Sequence, residues 1–283
     1  MEKITKILVP IDFSNCSKNA LIYTIQIANE ISANIQVLNV SSIDTSKVDY
    51  SVSSSVAIDE QISLARRRLS KYVQKVTENI DSTLTEMPSI QTSIEIGRIE
   101  DTIRDVAVKI EASYIIMGTQ GENSTLDKYL GSVASNVLNN APCPVMVIPK
   151  NTEFEKKVVM VYATNFLDAD PYEIWKAIKL FKPLQPQIKC VHFNEKQVFV
   201  EDKIKQLETY FAETAPELEA EIYSLPVKDK VKDLNDFIEE HNTNMLVMYK
   251  PKRSFFESIF HKSYTQKMAK HTNIPLLVFK EIK

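Results

Sequence analysis

Glycine is scarce in this chain: its 283 residues include 4, where average usage near 7% would give ~20. Three of them, Gly118, Gly121 and Gly131, fall in the single stretch "GTQGENSTLDKYLGSV", and the other is Gly97. Glycine serves where the backbone needs positive φ or where something must approach closely. A chain that avoids it elsewhere and concentrates it here is shaping a loop around something. The three cysteines, Cys16, Cys143 and Cys190, are odd in number, far apart and without CxxC spacing. That excludes a disulfide framework and predicts a reduced, cytoplasmic protein, with Cys143 in "APCPVMVIP" a small buried hydrophobe. No segment approaches the ~18 apolar residues of a membrane span. The apolar run near the start is broken at Asp12, short of the ~7–15 residues of a signal-peptide core. A formal charge of -3 and a pI near 5.9 exclude a general nucleic-acid or anionic-membrane binder. The four histidines, His192, His241, His261 and His271, have no close i,i+4 partner and no cysteine at metal-ligand spacing, so no zinc site and no protein metal ligand is expected from them.

What is present is a repeat. A constant offset of 131 lays Met117 on Met248, Ser132 on Ser263 and Pro144 on Pro275, while an offset of 153 lays "ILVPIDF" on "MVYATNF". The second copy is therefore shorter by 22 residues between its second and fourth strands. The boundary falls in the polar "PKNTEFEK", giving domains 1–150 and 157–283. Runs such as "KILV", "YIIM" and "VMVI" are apolar without alternation, as strands buried on both faces should be. In the first copy strands are predicted at Ile4–Ile11, Asn34–Val40, Ile90–Ile96, Tyr114–Gly118 and Val145–Pro149. Helices are predicted at Asn15–Ile31, Ala57–Asn79, Glu100–Glu111 and Ser132–Asn140. Alternating βα units predict an α/β fold with a mainly parallel sheet. Ser41–Ser55 reads as a long loop, either a lid or plain surface. Arg66–Arg68 reads as solvated charge on a polar helix face.

In an open α/β sheet the ligand crevice lies beyond the carboxyl ends of the strands, where the winding reverses. Gly118 ends a strand and Gly131-Ser132 begins a helix. A helix start offers free N–H groups and a positive dipole end, which suits phosphate. Gly131 would let a phosphate near the backbone, Ser132 would cap the helix, and Gly118 would leave room for a ribose or polyphosphate. A serine-capped loop with a glycine is also ordinary in such folds; the concentration of glycine here is what favours phosphate. The stretch is neither a Walker loop nor a GxGxxG dinucleotide motif.

The spacing Gly118-x2-Gly121-x9-Gly131-Ser132 resembles the ATP-binding pattern G-x2-G-x9-G-S/T of the universal stress protein family, and "ILVPIDFS" and "PCPVMVIP" resemble its first and last strands. The resemblance covers both copies and implies two tandem five-stranded parallel sheets, order 3-2-1-4-5, of the adenine-nucleotide alpha-hydrolase-like kind. It implies ATP, with Mg or Mn on its phosphates, between the ends of strands 1 and 4. Pro10 and Asp12 would lie beside the nucleoside, Val40 would meet adenine through its backbone, and Met117, Gly118, Gly121, Gly131, Ser132 and Val133 would hold ribose and phosphates. Asp12 could equally cap the helix near Asn15. Pairing of the two last strands would make the chain an intramolecular pseudo-dimer, with a further homodimer open.

In the second copy Gly118 becomes Tyr249, Gly121 Lys252, Gly131 Lys262 and Asp12 Asn165; Ser263 alone remains. The ATP site is expected to be lost there. The basic, aromatic stretch Tyr249 to Phe256 could meet an anionic ligand or acidic protein partner, or be a solvated loop. An ATP-binding stress-response regulator is the leading expectation. A slow ATPase, with Asp12, Glu122 or Asp127 near the γ-phosphate, and a nucleotide-independent scaffold are the alternatives. No residue is assigned a catalytic role.

Overall fold

The computed structural model describes residues 5–41, 54–80, 84–121, 130–164, 166–167, 170–194, 200–214, 220–226, 229–250 and 273–280. They fall into two compact units, Met1–Asn151 and Thr152–Lys283. In the first unit the order is β1 (Lys6–Pro10), α1 (Asn15–Ile31), β2 (Asn34–Ser41), α2 (Ser54–Glu78), β3 (Ile90–Ile96), α3 (Ile99–Lys109), β4 (Tyr114–Gly118), α4 (Ser132–Asn140) and β5 (Val145–Ile148). All pairings are parallel, and they give the strand order 3-2-1-4-5. The second unit runs β6 (Val159–Thr164), α5 (Asp170–Phe181), β7 (Gln187–Asn194), α6 (Glu201–Thr214), β8 (Ala220–Pro226), α7 (Lys230–Glu240), β9 (Met245–Lys250) and β10 (Leu276–Lys280). Its parallel order, 8-7-6-9-10, repeats the winding of the first.

The elements follow from the residue pattern. Ile7, Leu8 and Val9 of the central strand are buried on both faces, as a sheet covered by helices requires. The outer strand β3, IQTSIEI, mixes exposed polar positions with few buried ones, which suits an edge. Helix α1 starts at Ser14, whose side chain accepts from Ser17 N–H at 3.1 Å, and ends at Ser32 with φ 53°. Cys16, Ala20, Tyr23, Thr24, Ile27 and Ala28 form its buried stripe at helical spacing. Cys143 is buried as expected, which pushes its thiol up to about 12. Among the described residues no helix is long and apolar enough to cross a membrane.

Several boundaries differ from expectation for local reasons. Strand β1 stops at Pro10, which has no N–H to give the ladder. The segment read as a loop from Ser41 to Ser55 gives Ser41 to β2 and Ser54 to α2, and its interior lies outside the described residues. Helix α3 begins one residue early, at Ile99, and ends at Lys109.

Two backbone features fix the strand ends. Phe13, in the turn from β1 to α1, has φ 66°, and its counterpart Phe166 has φ 54°. A left-handed aromatic is strained, so this recurrence marks the turn as a built feature of the repeat. At Gly118 an added Cβ would lie 2.8 Å from Cys16 Sγ and 2.9 Å from the Cys16 carbonyl carbon. Beyond the room it was expected to leave for a ligand, this glycine admits the first turn of α1 against β4.

Gly118→Ala is therefore expected to destabilise the protein by about 1–3 kcal/mol through overpacking. Gly131→Ala, whose Cβ would meet nothing closer than 3.4 Å, is expected to be close to neutral. Urea unfolding checks both; a Gly118→Ala protein as stable as the wild type would mean that α1 does not press on β4.

Candidate functional site

The carboxyl ends of β1, β2 and β4 open into a cavity of about 600 Å³. It lies where the winding reverses between β1 and β4. Pro10, Ile11 and Asp12 come from β1 and its turn, Leu38 and Val40 from β2, and Met117 to Gly121 from β4 and the segment after it. Ile99, Glu100 and Ile103 of α3 form one wall, Gly131 to Ala134 at the start of α4 another, and Ser17 of α1 reaches in from beneath. All nine residues singled out from the sequence, Pro10, Asp12, Val40, Met117, Gly118, Gly121, Gly131, Ser132 and Val133, line this one cavity.

The cavity has two chemically distinct parts. Leu38, Val40, Ile99 and Ile103 are apolar, contributed by β2 and α3. Asp12, Ser17, Thr119, Gln120 and the N-terminus of α4 are polar. The first bond within α4 runs from Ser135 N–H to the Gly131 carbonyl at 2.9 Å. The amides of Ser132, Val133 and Ala134 therefore have no partner within the helix. The Gly131 amide is already used, donating to Thr119 O at 2.7 Å. Ser132 was expected to cap the helix; Gly131 is instead the N-cap, without a side-chain bond, and Ser132 is the first helical residue and exposed.

The three motif glycines do different work. Gly118 serves helix packing. At Gly121 an added Cβ would fall 2.8 Å from Asp12 Oδ2, so this glycine seats the Asp12 carboxylate. Gly131 has φ -61° and ψ 155°, a conformation open to any residue, and its Cβ would make only ordinary contacts with Thr119, Gln120 and Gly121. Among the described residues nothing requires glycine at 131. The capping alternative for Asp12 is also resolved: Ser14 caps α1, and Asp12 Oδ1 accepts from Ser14 N–H at 3.1 Å, ordering the turn before it.

Sequence reasoning did not single out Ile11, Ser17, Leu38, Ile99, Glu100, Ile103, Thr119, Gln120 or Ala134. Leu38 lies two residues before Val40 on a strand, and Ile99 and Ile103 lie one turn apart on a helix, so periodicity alone places each pair on one face. Glu122, Asp127 and Lys128 lie outside the described residues.

At the equivalent corner of the second unit the described residues differ. Tyr162, Asp170, Phe193 and Tyr249 stand at the positions of Val9, Ser17, Val40 and Gly118, and each is buried. Asp170 accepts from Tyr162 OH at 2.9 Å, Thr164 OH at 2.6 Å and Leu167 N–H at 3.0 Å. His192 Nδ1–H donates to Thr164 O at 3.1 Å, where Asn39 Nδ2–H donates to Ile11 O at 2.8 Å in the first unit. One turn along α5, burial raises the Glu173 carboxyl above its ordinary value, opposed by Lys176 at 2.5 Å and reinforced by Asp170. Asn165, Lys252, Lys262, Ser263 and most of the stretch Tyr249 to Phe256 lie outside the described residues.

The model of the universal stress protein family matches residues 3–149. A universal stress protein of Methanocaldococcus jannaschii is 31% identical over 146 residues, 51% of this chain and 82% of that protein. Another, from Synechocystis, is 26% identical over 155 residues, 50% of this chain and 96% of that protein. A universal stress protein structure from Archaeoglobus fulgidus matches with TM-score 0.73 over 97% of this chain and 98% of that chain, at 19% identity, a likeness of fold.

Because Asp170 is the shared acceptor for three donors, Asp170→Ala is expected to cost about 2–4 kcal/mol by leaving buried donors unpaired. The single tryptophan of the chain, Trp175, sits on the same helix, so its fluorescence reports the transition. An unchanged unfolding midpoint would show that this network contributes nothing.

Proposed function

The chain belongs to the universal stress protein family, and on that premise we propose that it is a cytoplasmic ATP-binding regulator of the stress response. One nucleotide is held by the first unit, residues 1–150; the second, 157–283, is structural or partner-binding. The observation that carries the reading is Gly131. It faces the cavity at the start of α4, and neither its backbone angles nor its described neighbours demand glycine. The space it leaves is useful to a phosphate approaching the free amides of that helix.

The rest of the cavity agrees in chemistry. Its volume suits a small-molecule ligand. A base would lie between Leu38 and Val40 on one side and Ile99 and Ile103 on the other. Ribose would lie near Asp12, Met117 and Gly118, and phosphates toward Gly121, Gly131, Ser132 and Val133. Among the described lining residues there is no Lys or Arg, whereas Asp12 and Glu100 are acidic. A polyphosphate would therefore bring a divalent cation to offset its charge. The Asp12 carboxylate and Ser132 hydroxyl are hard oxygen donors that suit Mg or Mn.

This site binds more than it converts. Fast phosphoryl transfer needs cationic clamping of the γ-phosphate and an in-line nucleophile. Amides and a serine hydroxyl hold charge nearly alike in ground and transition states, which tightens affinity without raising the chemical rate. In the second unit Tyr249 and Phe193 take the space, and two buried carboxylates, Asp170 and Glu173, would repel an anion.

The decisive variant is Gly131→Val. It is expected to keep the fold and lose ATP binding, because a branched side chain would stand in the phosphate's place. Calorimetry with ATP and magnesium should find one site in the wild type and none in the variant, and phosphate release should stay below roughly one per minute, far under the ~1–100 per second of kinases. Two equivalent sites, or normal binding by Gly131→Val, would overturn the assignment. Release above one per second that vanishes in the variant would make the protein an ATPase.

The two units are read as an intramolecular pseudo-dimer. Strands β5 and β10, VMVI and LLVFK, are apolar and outermost in their sheets, and an apolar edge is stable when paired. The economical partner is the same strand of the other copy. With the strands antiparallel, spin labels at Lys150 and Asn273 are expected to report a short separation; a long one would contradict the pairing.

A further inference from the structure

The hydroxyl of Tyr72, on α2, is buried without a hydrogen-bond partner. Such a group is costly, and native structures keep few of them. Burial pushes its phenol up to about 12; the Ser17 hydroxyl, itself bonded to Ser14, approaches it as a loose hydrogen-bond partner outside good geometry and acts the other way, and the Asp12 carboxylate adds to the rise. Tyr72 thus looks onto two residues that line the cavity, Asp12 and Ser17. Its ring is fixed from the other side. Phe13 meets it edge-on, with centroids 5.1 Å apart and planes at 90°, and the Arg68 guanidinium lies 4.1 Å over the Phe13 ring. Phe13 is the left-handed residue between Asp12 and Ser14. Helix α2 therefore grips the strained turn that presents Asp12, although Arg68 read from the sequence as plain solvated charge.

On the reading that this cavity binds ATP, we propose that Tyr72 is a positioning residue of the site, its hydroxyl donating to Asp12 when ligand is bound. A carboxylate offers about four acceptor positions. Asp12 can keep its bond to Ser14 N–H, accept from Tyr72 and still face a ligand hydroxyl or cation. A small turn of the carboxylate toward the cavity gives the phenol the partner it lacks in the ligand-free protein. Phe13 and Arg68 supply direction: the edge contact fixes the ring, and the guanidinium holds Phe13 in its strained conformation.

Tyr72→Phe keeps the ring and removes only the hydroxyl. Affinity for ATP is expected to fall about tenfold, while the melting temperature without nucleotide stays the same or rises, since no bond is lost. Hydrogen exchange gives a second readout: ATP is expected to slow exchange around Tyr72 in the wild type and not in the variant. Arg68→Gln, an exposed position, is expected to weaken ATP roughly two- to threefold and serves if Tyr72→Phe fails to fold. Wild-type affinity in both variants would overturn the inference. So would weaker binding by Tyr72→Phe accompanied by a lower melting temperature of the nucleotide-free protein, because that marks lost packing. A wild-type protein that binds no adenine nucleotide would instead overturn the reading of the cavity, and wild type alone reports that outcome.

Discussion

The close approach of α1 to the end of β4 is the constraint on which the first unit's site depends. The Cys16 carbonyl carbon would lie 2.9 Å from any Cβ at position 118, so the helix can sit there only against glycine. In both units the chain has few residues in which to leave the first strand and enter the helix. The turn through Asp12, Phe13 and Ser14 closes by putting Phe13 at φ 66°. That geometry aims Asp12 across the strand ends, and Gly121 is the second glycine because a side chain there would strike the Asp12 carboxylate. The cavity is the space left between this turn, β2 and the start of α4. Two of the three motif glycines thus build the walls of the site, and the third, Gly131, stays open within it.

The second unit shows what happens when the constraint is released. It keeps the winding, the parallel pairing and the left-handed phenylalanine of the turn. It replaces Gly118 by Tyr249. A polar corner has not become apolar. Tyr162, Thr164 and Asp170 satisfy one another there, because a half-satisfied buried network is worse than either extreme. The backbone tie from β7 to the end of β6 survives as His192 in place of Asn39. The winding therefore survives without the glycine motif, and in the first unit it is Gly131, not Gly118 or Gly121, that has no packing reason among the described residues.

Much of this was legible in the sequence because parallel strands buried on both faces are plain apolar runs, and helices α1 and α4 carry clear start signals. The cavity was legible through its glycines, since no other feature of a glycine-poor chain explains their clustering. Their individual reasons were not. Whether a missing Cβ makes room for a helix, a carboxylate or a ligand depends on what lies opposite, and for Gly118 that is Cys16, over 100 residues away in sequence. The α3 wall was also hidden, because Ile99 and Ile103 look like any amphipathic stripe. Arg68 was misread for a related reason: a guanidinium over a ring and one in water are the same letter in the sequence.

The lining also constrains how charge is handled. Asp12 and Glu100 are acidic, and the described lining holds no Lys or Arg to oppose them. Attraction for an anion comes from the α4 amides, whose dipole effect fades within the first turn. Such a site distinguishes an anion placed against the helix start from one merely near the cavity, which a lysine's longer-ranged point charge would not do as sharply. The acidic pair works in the same direction: an anion approaching without a cation meets Asp12 at close range, and one carrying a cation meets a ligand for it. On the proposed reading, selectivity for a metal-bearing polyphosphate over a simple anion rests on the lack of side-chain cations among the described lining residues rather than on any single strong contact. Among the described lining residues that lack leaves a terminal phosphate without a fixed positive clamp, so on the proposed reading the features that favour selectivity work against fast phosphoryl transfer.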